Sequence, residues 1–200
     1  MIDTIIFDLG GVLIDWDPRH MYRKWITDAE RMEYLLANIT TSDWNEEQDG
    51  GRSLAEATNT LVAEHPDWET EIRAFYDRWE EMLGGPIWGT VELLDSLRIG
   101  KRYRLLALTN WSAETFPIAK ERYDFLGWFE GILVSGAENM RKPEPRFYQL
   151  MEERFSLDPK TCLFIDDNLR NVKAARARGW NVIHFHSPMQ LREGLSEILR

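Results

Sequence analysis

Residues 2–12 read Ile2-Asp3-Thr4-Ile5-Ile6-Phe7-Asp8-Leu9-Gly10-Gly11-Val12, an apolar run that stops at a carboxylate and then turns on two glycines. A run this short and this rich in isoleucine predicts a buried strand that breaks into a loop. The same punctuation recurs along the chain. Residues 103–108 end at Thr109-Asn110, 131–134 at Ser135-Gly136, 162–165 at Asp166-Asp167, and 181–185 at His186-Ser187. None of these runs shows the two-residue alternation of a half-exposed sheet, so both faces of the sheet are expected to be covered.

Helical spacing fills the intervals: Val91, Leu94 and Leu97, then residues 113–122, 145–154 and 169–178, the last closed by Gly179. Strands alternating with helices predict an α/β fold, a Rossmann-like doubly wound parallel sheet. In such a sheet ligands sit beyond the carboxyl ends of the strands. Asp8, Thr109, Asn110, Asp166 and Asp167 all fall on that edge.

The alternation fails between residues 15 and 88, where helical patterns occur and no strand is expected. Ile72, Phe75, Tyr76, Trp79, Met82 and Leu83 follow one another at helical spacing and are expected to pack as core. The segment holds 17 acidic against 7 basic residues, which accounts for the whole formal charge of −10. We therefore expect residues 1–14 plus 89–200 to form the core domain and residues 15–88 an inserted helical cap. Within it, residues 44–52 have the composition of a mobile loop with glycine hinges, and Arg52 is a candidate contact for an anionic or hydroxylated ligand.

The acidic balance disfavours nucleic acid as a partner, because phosphate backbones are bound by clustered Lys and Arg. A chain with no apolar stretch of membrane-spanning length and no leader pattern at Met1 is expected to be cytoplasmic, without membrane contact, and a monomer is favoured. The single cysteine, Cys162, lies in an apolar run and is expected to be a buried thiol.

Four pieces at strand ends carry chemistry. Asp8 is followed by Gly10 and Gly11, which let backbone approach a ligand closely. Thr109 and Asn110 offer a hydroxyl and backbone N–H groups suited to phosphoryl oxygens. Lys142, in Arg141-Lys142-Pro143-Glu144-Pro145, supplies a positive charge ahead of a proline-opened helix. Asp166 and Asp167, adjacent at the end of an apolar strand, repel each other unless a cation lies between them, and hard oxygen ligands favour Mg²⁺.

In type and order these pieces resemble the four motifs of the haloacid dehalogenase-like hydrolase superfamily, in its subfamily I with a helical cap. The resemblance implies a Mg²⁺-dependent phosphatase acting on a small phosphorylated metabolite, such as a sugar phosphate. In this reading Asp8 is the nucleophile that forms an aspartyl phosphate. Thr109, Asn110 and Lys142 hold the phosphoryl oxygens beside Gly10 and Gly11. Asp8, the Gly10 carbonyl, Asp167 and Asp166 serve the metal, Asp166 directly or from behind. Asp-Leu-Gly-Gly-Val is similar to the Asp-Leu-Gly-Asn-Val of bacterial members of the α-D-glucose-1-phosphate phosphatase type. The departure from the family pattern is Gly10, where most phosphatases of this superfamily carry a second Asp as general acid and base. Its absence implies rates that depend steeply on leaving-group basicity, unless Asp15, Asp17 or a cap carboxylate substitutes. Two other readings are a metal-independent 2-haloacid dehalogenase using the same Asp, and a low-activity phosphosugar-binding protein.

Overall fold

The computed structural model of the chain describes residues 1–199. The chain starts in β1 (Thr4–Phe7), passes the Asp8 loop, and enters β2 (Ile14–Trp16). Five helices follow: α1 (Pro18–Tyr22), α2 (Ala29–Asn38), α3 (Ser42–Asp49), α4 (Leu54–Glu64) and α5 (Glu69–Asp77). The chain returns through β3 (Leu83–Pro86) and α6 (Trp88–Gly100) to β4 (Arg104–Thr109), α7 (Phe116–Arg122) and β5 (Gly131–Val134). It ends with α8 (Ser135–Glu138), α9 (Pro145–Phe155), β6 (Cys162–Asp166), α10 (Leu169–Ala177), β7 (Asn181–His184) and α11 (Pro188–Ile198).

The main sheet has five strands in the order β5-β4-β1-β6-β7, all parallel. Phe7 stands opposite Ala107 on one side and Ile165 on the other, so β1 stops two residues before the end of β4 and one before the end of β6, and Asp8 follows it at the same edge. Successive strand residues point to opposite faces, and both faces find apolar partners. Ile5, Phe7, Leu105, Ala107, Leu163 and Ile165 join one core cluster, while Ile6, Leu106, Leu108, Leu133, Cys162 and Phe164 join the other. This is why the sequence shows continuous apolar runs. Cys162 is buried as expected, and burial pushes its thiol up to about 12. No helix among the described residues is long and apolar enough to cross a membrane.

Between β1 and α6 the structure departs from expectation at two points. Residues 15–88 were expected to hold no strand, yet β2 and β3 pair antiparallel, with Ile14 opposite Pro86 and Asp15 opposite Gly85. Strands this short, one of them Leu83-Gly84-Gly85-Pro86, carry the glycine and proline that ordinarily argue against a strand. A Cβ at position 84 would lie 2.2 Å from Asp15 Oδ2, so any larger residue there has to push the Asp15–His20 pair aside. The stripe from Ile72 to Leu83 accordingly begins in α5, continues through a 3₁₀ turn at Trp79–Met82 and finishes in β3.

Residues 44–52, expected as a mobile loop, are mostly helical, with 44–49 the last six of the eight residues of α3. Thr41 accepts from the Trp44 N–H at 3.1 Å and starts the helix. Gln48 is fully buried within it, and Arg141 from the sheet side donates to the Glu46 carbonyl and, at 3.0 Å, to Glu47. The polar composition that suggests a loop arises because Ser42, Asn45, Glu46 and Asp49 of this helix line an open cleft rather than a sealed apolar core.

Candidate active site

The four pieces separated in sequence meet at the carboxyl edge of the sheet. Asp8 follows β1, Thr109 ends β4, Asp166 ends β6, and Lys142 reaches in from the loop before α9. The Lys142 side chain is fully buried, and its Nζ lies 2.8 Å from Asp8 Oδ2 and 2.8 Å from Asp166 Oδ2. Burial pulls the ammonium down, but Asp166 and Asp8 together hold it above the ordinary lysine range. It therefore stays charged between them.

Asn110 fixes the loop that carries this lysine. Its Oδ1 accepts from the Lys142 N–H at 2.8 Å and its Nδ2 donates to the Lys142 carbonyl at 2.9 Å. The Asn110 side-chain amide is thus committed to the Lys142 backbone, which leaves its backbone N–H for the phosphoryl oxygen expected at this residue. Thr109 is buried, and its Oγ1 has no hydrogen-bond partner among the described residues. A buried hydroxyl at a strand end without a partner is costly unless a ligand oxygen completes it.

The two carboxylates of the Asp166-Asp167 pair differ in environment. Asp166 Oδ1 accepts from the Asn168 N–H at 2.7 Å and from Asn171 Nδ2 at 3.1 Å, while Oδ2 accepts from Lys142 and, at 3.1 Å, from the same Asn171 amide. Asp167 has no ion-pair partner among the described residues, because Lys142 is shared by the other two. Oxygen atoms of Asp8, Asp166 and Asp167 all lie within 4.8 Å of one another. Burial raises the Asp8 carboxyl well above its usual range, Lys142 opposes this, and Asp166 and Asp167 add to it. Asp167 is raised for the same reasons, burial first and then Asp166. Three carboxylates against one ammonium leave the cluster negative, with an all-oxygen donor set, and a hard divalent cation such as Mg²⁺ fits that deficit.

Gly11 closes the other side. Its φ is +71°, and a Cβ there would fall 2.3 Å from Asp167 Oδ2. We expect Gly11→Ala to lower stability by about 1–3 kcal/mol through left-handed backbone strain alone. Because the methyl also displaces Asp167, activity should fall by more than the melting curve accounts for. Parallel melts and rate measurements check this, and equal activity per folded molecule would separate Gly11 from the site.

These residues open into a cavity of about 280 Å³, whose wall includes Asp8, Gly10, Gly11, Asn110, Lys142 and Asp167. Its far wall comes from the helical segment and the loop after β4: Trp16, Asp49, Tyr76, Trp79 and Trp111. The sequence expectation that Tyr76 and Trp79 are simply core is incomplete, since both also face this space. Arg52 is not part of the wall, and its Nε donates to Gln48 Oε1 at 2.8 Å, one helical turn back. Asp49 and the tryptophans were missed because nothing local in the sequence shows that α3 and α5 fold over the sheet edge.

Comparison with known proteins agrees with this geometry. The model of the haloacid dehalogenase-like hydrolase family matches residues 2–179. A sesquiterpene phosphatase from Aspergillus oryzae is 29% identical over 90% of this chain and 87% of its own length. An N-acetylmuramic acid 6-phosphate phosphatase from Pseudomonas aeruginosa is 25% identical over 89% of this chain and 79% of its own. Among solved structures, a mutant of a haloacid dehalogenase family enzyme from Bacteroides thetaiotaomicron, in complex with magnesium and inorganic phosphate, superposes with a TM-score of 0.71. It is 22% identical, with 94% of this chain and 95% of that one covered, and so shows the fold.

Proposed function

Since the chain belongs to the haloacid dehalogenase-like hydrolases, we propose that it is a Mg²⁺-dependent phosphomonoesterase with Asp8 as nucleophile. The observation that carries this reading is the buried Lys142 ammonium at 2.8 Å from both Asp8 and Asp166, beside the unpaired Asp167. In the same reading residues 1–14 plus 89–200 are the hydrolase core and residues 15–88 the cap that closes the cavity.

The residues derive their roles from these positions. Asp8 presents a carboxylate oxygen to phosphorus, and Lys142 orients that carboxylate and offsets its charge as a dianionic ester approaches. The Thr109 hydroxyl and the Asn110 backbone N–H are the groups left after β4 for the phosphoryl oxygens, since the Trp111 N–H donates to Ser135 Oγ and the Ser112 N–H to Asp49. Asp8, the Gly10 carbonyl and Asp167 would hold Mg²⁺, with Asp166 supporting Lys142 from behind. When bound, the ion supplies charge neutralisation between the carboxylates and the phosphoryl group. Metal-independent displacement of halide would leave the carboxylate of Asp167 beside Asp8 with no cation to offset it, which favours the phosphatase reading over the dehalogenase one.

The wall formed by Trp16, Tyr76, Trp79 and Trp111 favours a monophosphate whose organic group has an apolar or flat face over a heavily hydroxylated one. A relative named as a sesquiterpene phosphatase supports the same choice. This narrows the sugar-phosphate expectation to one member of a panel of prenyl, aryl and sugar monophosphates. Turnover of the best of these is expected to vanish in excess chelator and to return with added Mg²⁺. Full activity in chelator would remove the metal from the reading.

A further inference from the structure

Gly10 leaves the leaving-group oxygen without the usual proton donor, and the structure shows real space there: a Cβ built on Gly10 meets nothing within 4 Å. The cavity wall contains four carboxylates, Asp8, Glu46, Asp49 and Asp167. Asp8 is committed to Lys142 and Asp167 belongs to the cation site. Glu46 is paired with Arg170. The two candidates nearest in sequence are also engaged and lie outside the wall. Asp15 Oδ2 is 2.9 Å from His20 Nε2, and Asp17 caps α1 by accepting from the Arg19 N–H at 2.8 Å.

Asp49 remains. It is the last residue of α3, half-buried, and its Oδ2 accepts from Asn45 Nδ2 at 3.2 Å while the Ser112 backbone N–H faces the same carboxylate. It is also pinned to the sheet side of the cleft. Ser135 Oγ donates to the Asp49 carbonyl, and Arg141, the residue before Lys142, holds the same helix through Glu46 and Glu47. A Cβ at Gly51 would lie 2.2 Å from Asn139 Oδ1, which shows how closely the end of α3 approaches the loop after α8.

We propose that Asp49, reaching in from the inserted helices, is the general acid and base of this hydrolase in place of the carboxylate absent at Gly10. The inference rests on the phosphatase reading above. In the first step an Asp8 oxygen bonds to phosphorus as the phosphorus–oxygen bond to the alcohol breaks, and the Asp49 proton passes to the departing oxygen, giving a neutral alcohol. In the second, the Asp49 carboxylate takes a proton from water as that water's oxygen bonds to phosphorus. The bond to Asp8 breaks, and phosphate leaves with Asp49 again protonated.

Charge around Asp49 suits both steps. Burial is the main cause that lifts its carboxyl to about 7, the Ser112 N–H works against this, Glu46 adds to it, and Arg141 and Lys142 oppose it. The Tyr76 phenol also faces Asp49 from α5. A group poised there spends comparable fractions of time as acid and as base near neutral pH.

The test is a leaving-group series and a pH profile in saturating Mg²⁺, with p-nitrophenyl phosphate and a primary alkyl phosphate as the two ends. The natural protein should show only a shallow dependence on leaving-group basicity, and alkyl-phosphate turnover should fall as pH rises through about 7. Asp49→Asn should lose alkyl turnover by roughly 10²–10⁴-fold and lose that alkaline limb, while p-nitrophenyl phosphate still releases about one p-nitrophenol per enzyme in a fast burst before the shared phosphoryl-enzyme hydrolyses slowly for want of its base. Adding Gly10→Asp to Asp49→Asn should restore alkyl turnover. Because the double variant carries the same change in α3, its recovery reads proton donation rather than folding. A steep dependence already present in the natural protein, loss of the p-nitrophenol burst in Asp49→Asn, or no recovery in the double variant would overturn Asp49 while leaving the phosphatase reading intact. Absence of both aryl-phosphate turnover and phosphoryl-enzyme in the natural protein would overturn both.

Discussion

Asp8→Asn is expected to abolish phosphate-ester turnover, by at least about 10⁴-fold, without lowering the melting temperature. The amide keeps the shape of the carboxylate and is a poor nucleophile. The stability half of this expectation follows from the crowding of charge. Burial, Asp166 and Asp167 hold the Asp8 carboxyl above its usual range against the pull of Lys142. A carboxyl raised on folding binds its proton more tightly in the native state than in the unfolded one. Its contribution to stability is therefore present at low pH and lost as pH rises from the ordinary carboxylate range through the raised value. A neutral side chain at position 8 removes that loss. Without added metal, Asp8→Asn should melt at or above the natural protein at neutral pH, and its stability should fall less steeply with rising pH. Near-normal turnover with an unchanged melting curve would show that another group is the nucleophile.

Lys142→Met should have the opposite effect on stability. Lys142 is among the larger fully buried side chains, and removing its charge leaves Asp8 and Asp166 facing each other in the interior. Breaking a buried pair by deleting one partner typically costs about 3–5 kcal/mol. In a chain of this size each kcal/mol corresponds to roughly 2–4 °C in melting temperature. A fall of about 6–20 °C is expected, together with loss of turnover. Mg²⁺ should recover part of the stability, because the cation answers the same deficit of positive charge, but it should not recover the rate. A variant that melts like the natural protein would mean that these carboxylates are not ionised together.

Both predictions concern residues that could be read from the sequence, and the reason is physical. A strand buried on both faces is a continuous apolar run, so the polar residue that ends it stands out, and Asp8, Thr109 and Asp166 each end such a run. Lys142 is legible through its place before Pro143 and Pro145. The far wall is different. Asp49, Tyr76 and Trp79 gain their meaning only when α3 and α5 lie across the sheet edge, and no spacing within either helix encodes that placement. The α3 helix itself was hidden because it carries polar residues toward a cleft. The β2–β3 pair was hidden because it is built from a few residues, two of them glycine and one proline. Arg52 shows the converse error: an arginine near glycines suggests a ligand contact, but helical geometry gives it a nearer partner in Gln48.

That small antiparallel pair works as a bracket. The chain leaves the nucleophile's strand through β2 and comes back through β3, and the two are hydrogen-bonded neighbours whatever lies between them. Closing a longer or shorter stretch across fixed, adjacent ends changes the entropic cost only logarithmically with length, and segments with neighbouring ends tolerate exchange well. Residues 17–82 can therefore be rewritten, lengthened or traded for a different set of helices while β1, β4 and β6 keep their register. Selection for a new metabolite has a place to act that leaves Asp8, Lys142 and the Asp166-Asp167 pair untouched, and that need keep of its own residues only the carboxylate of Asp49.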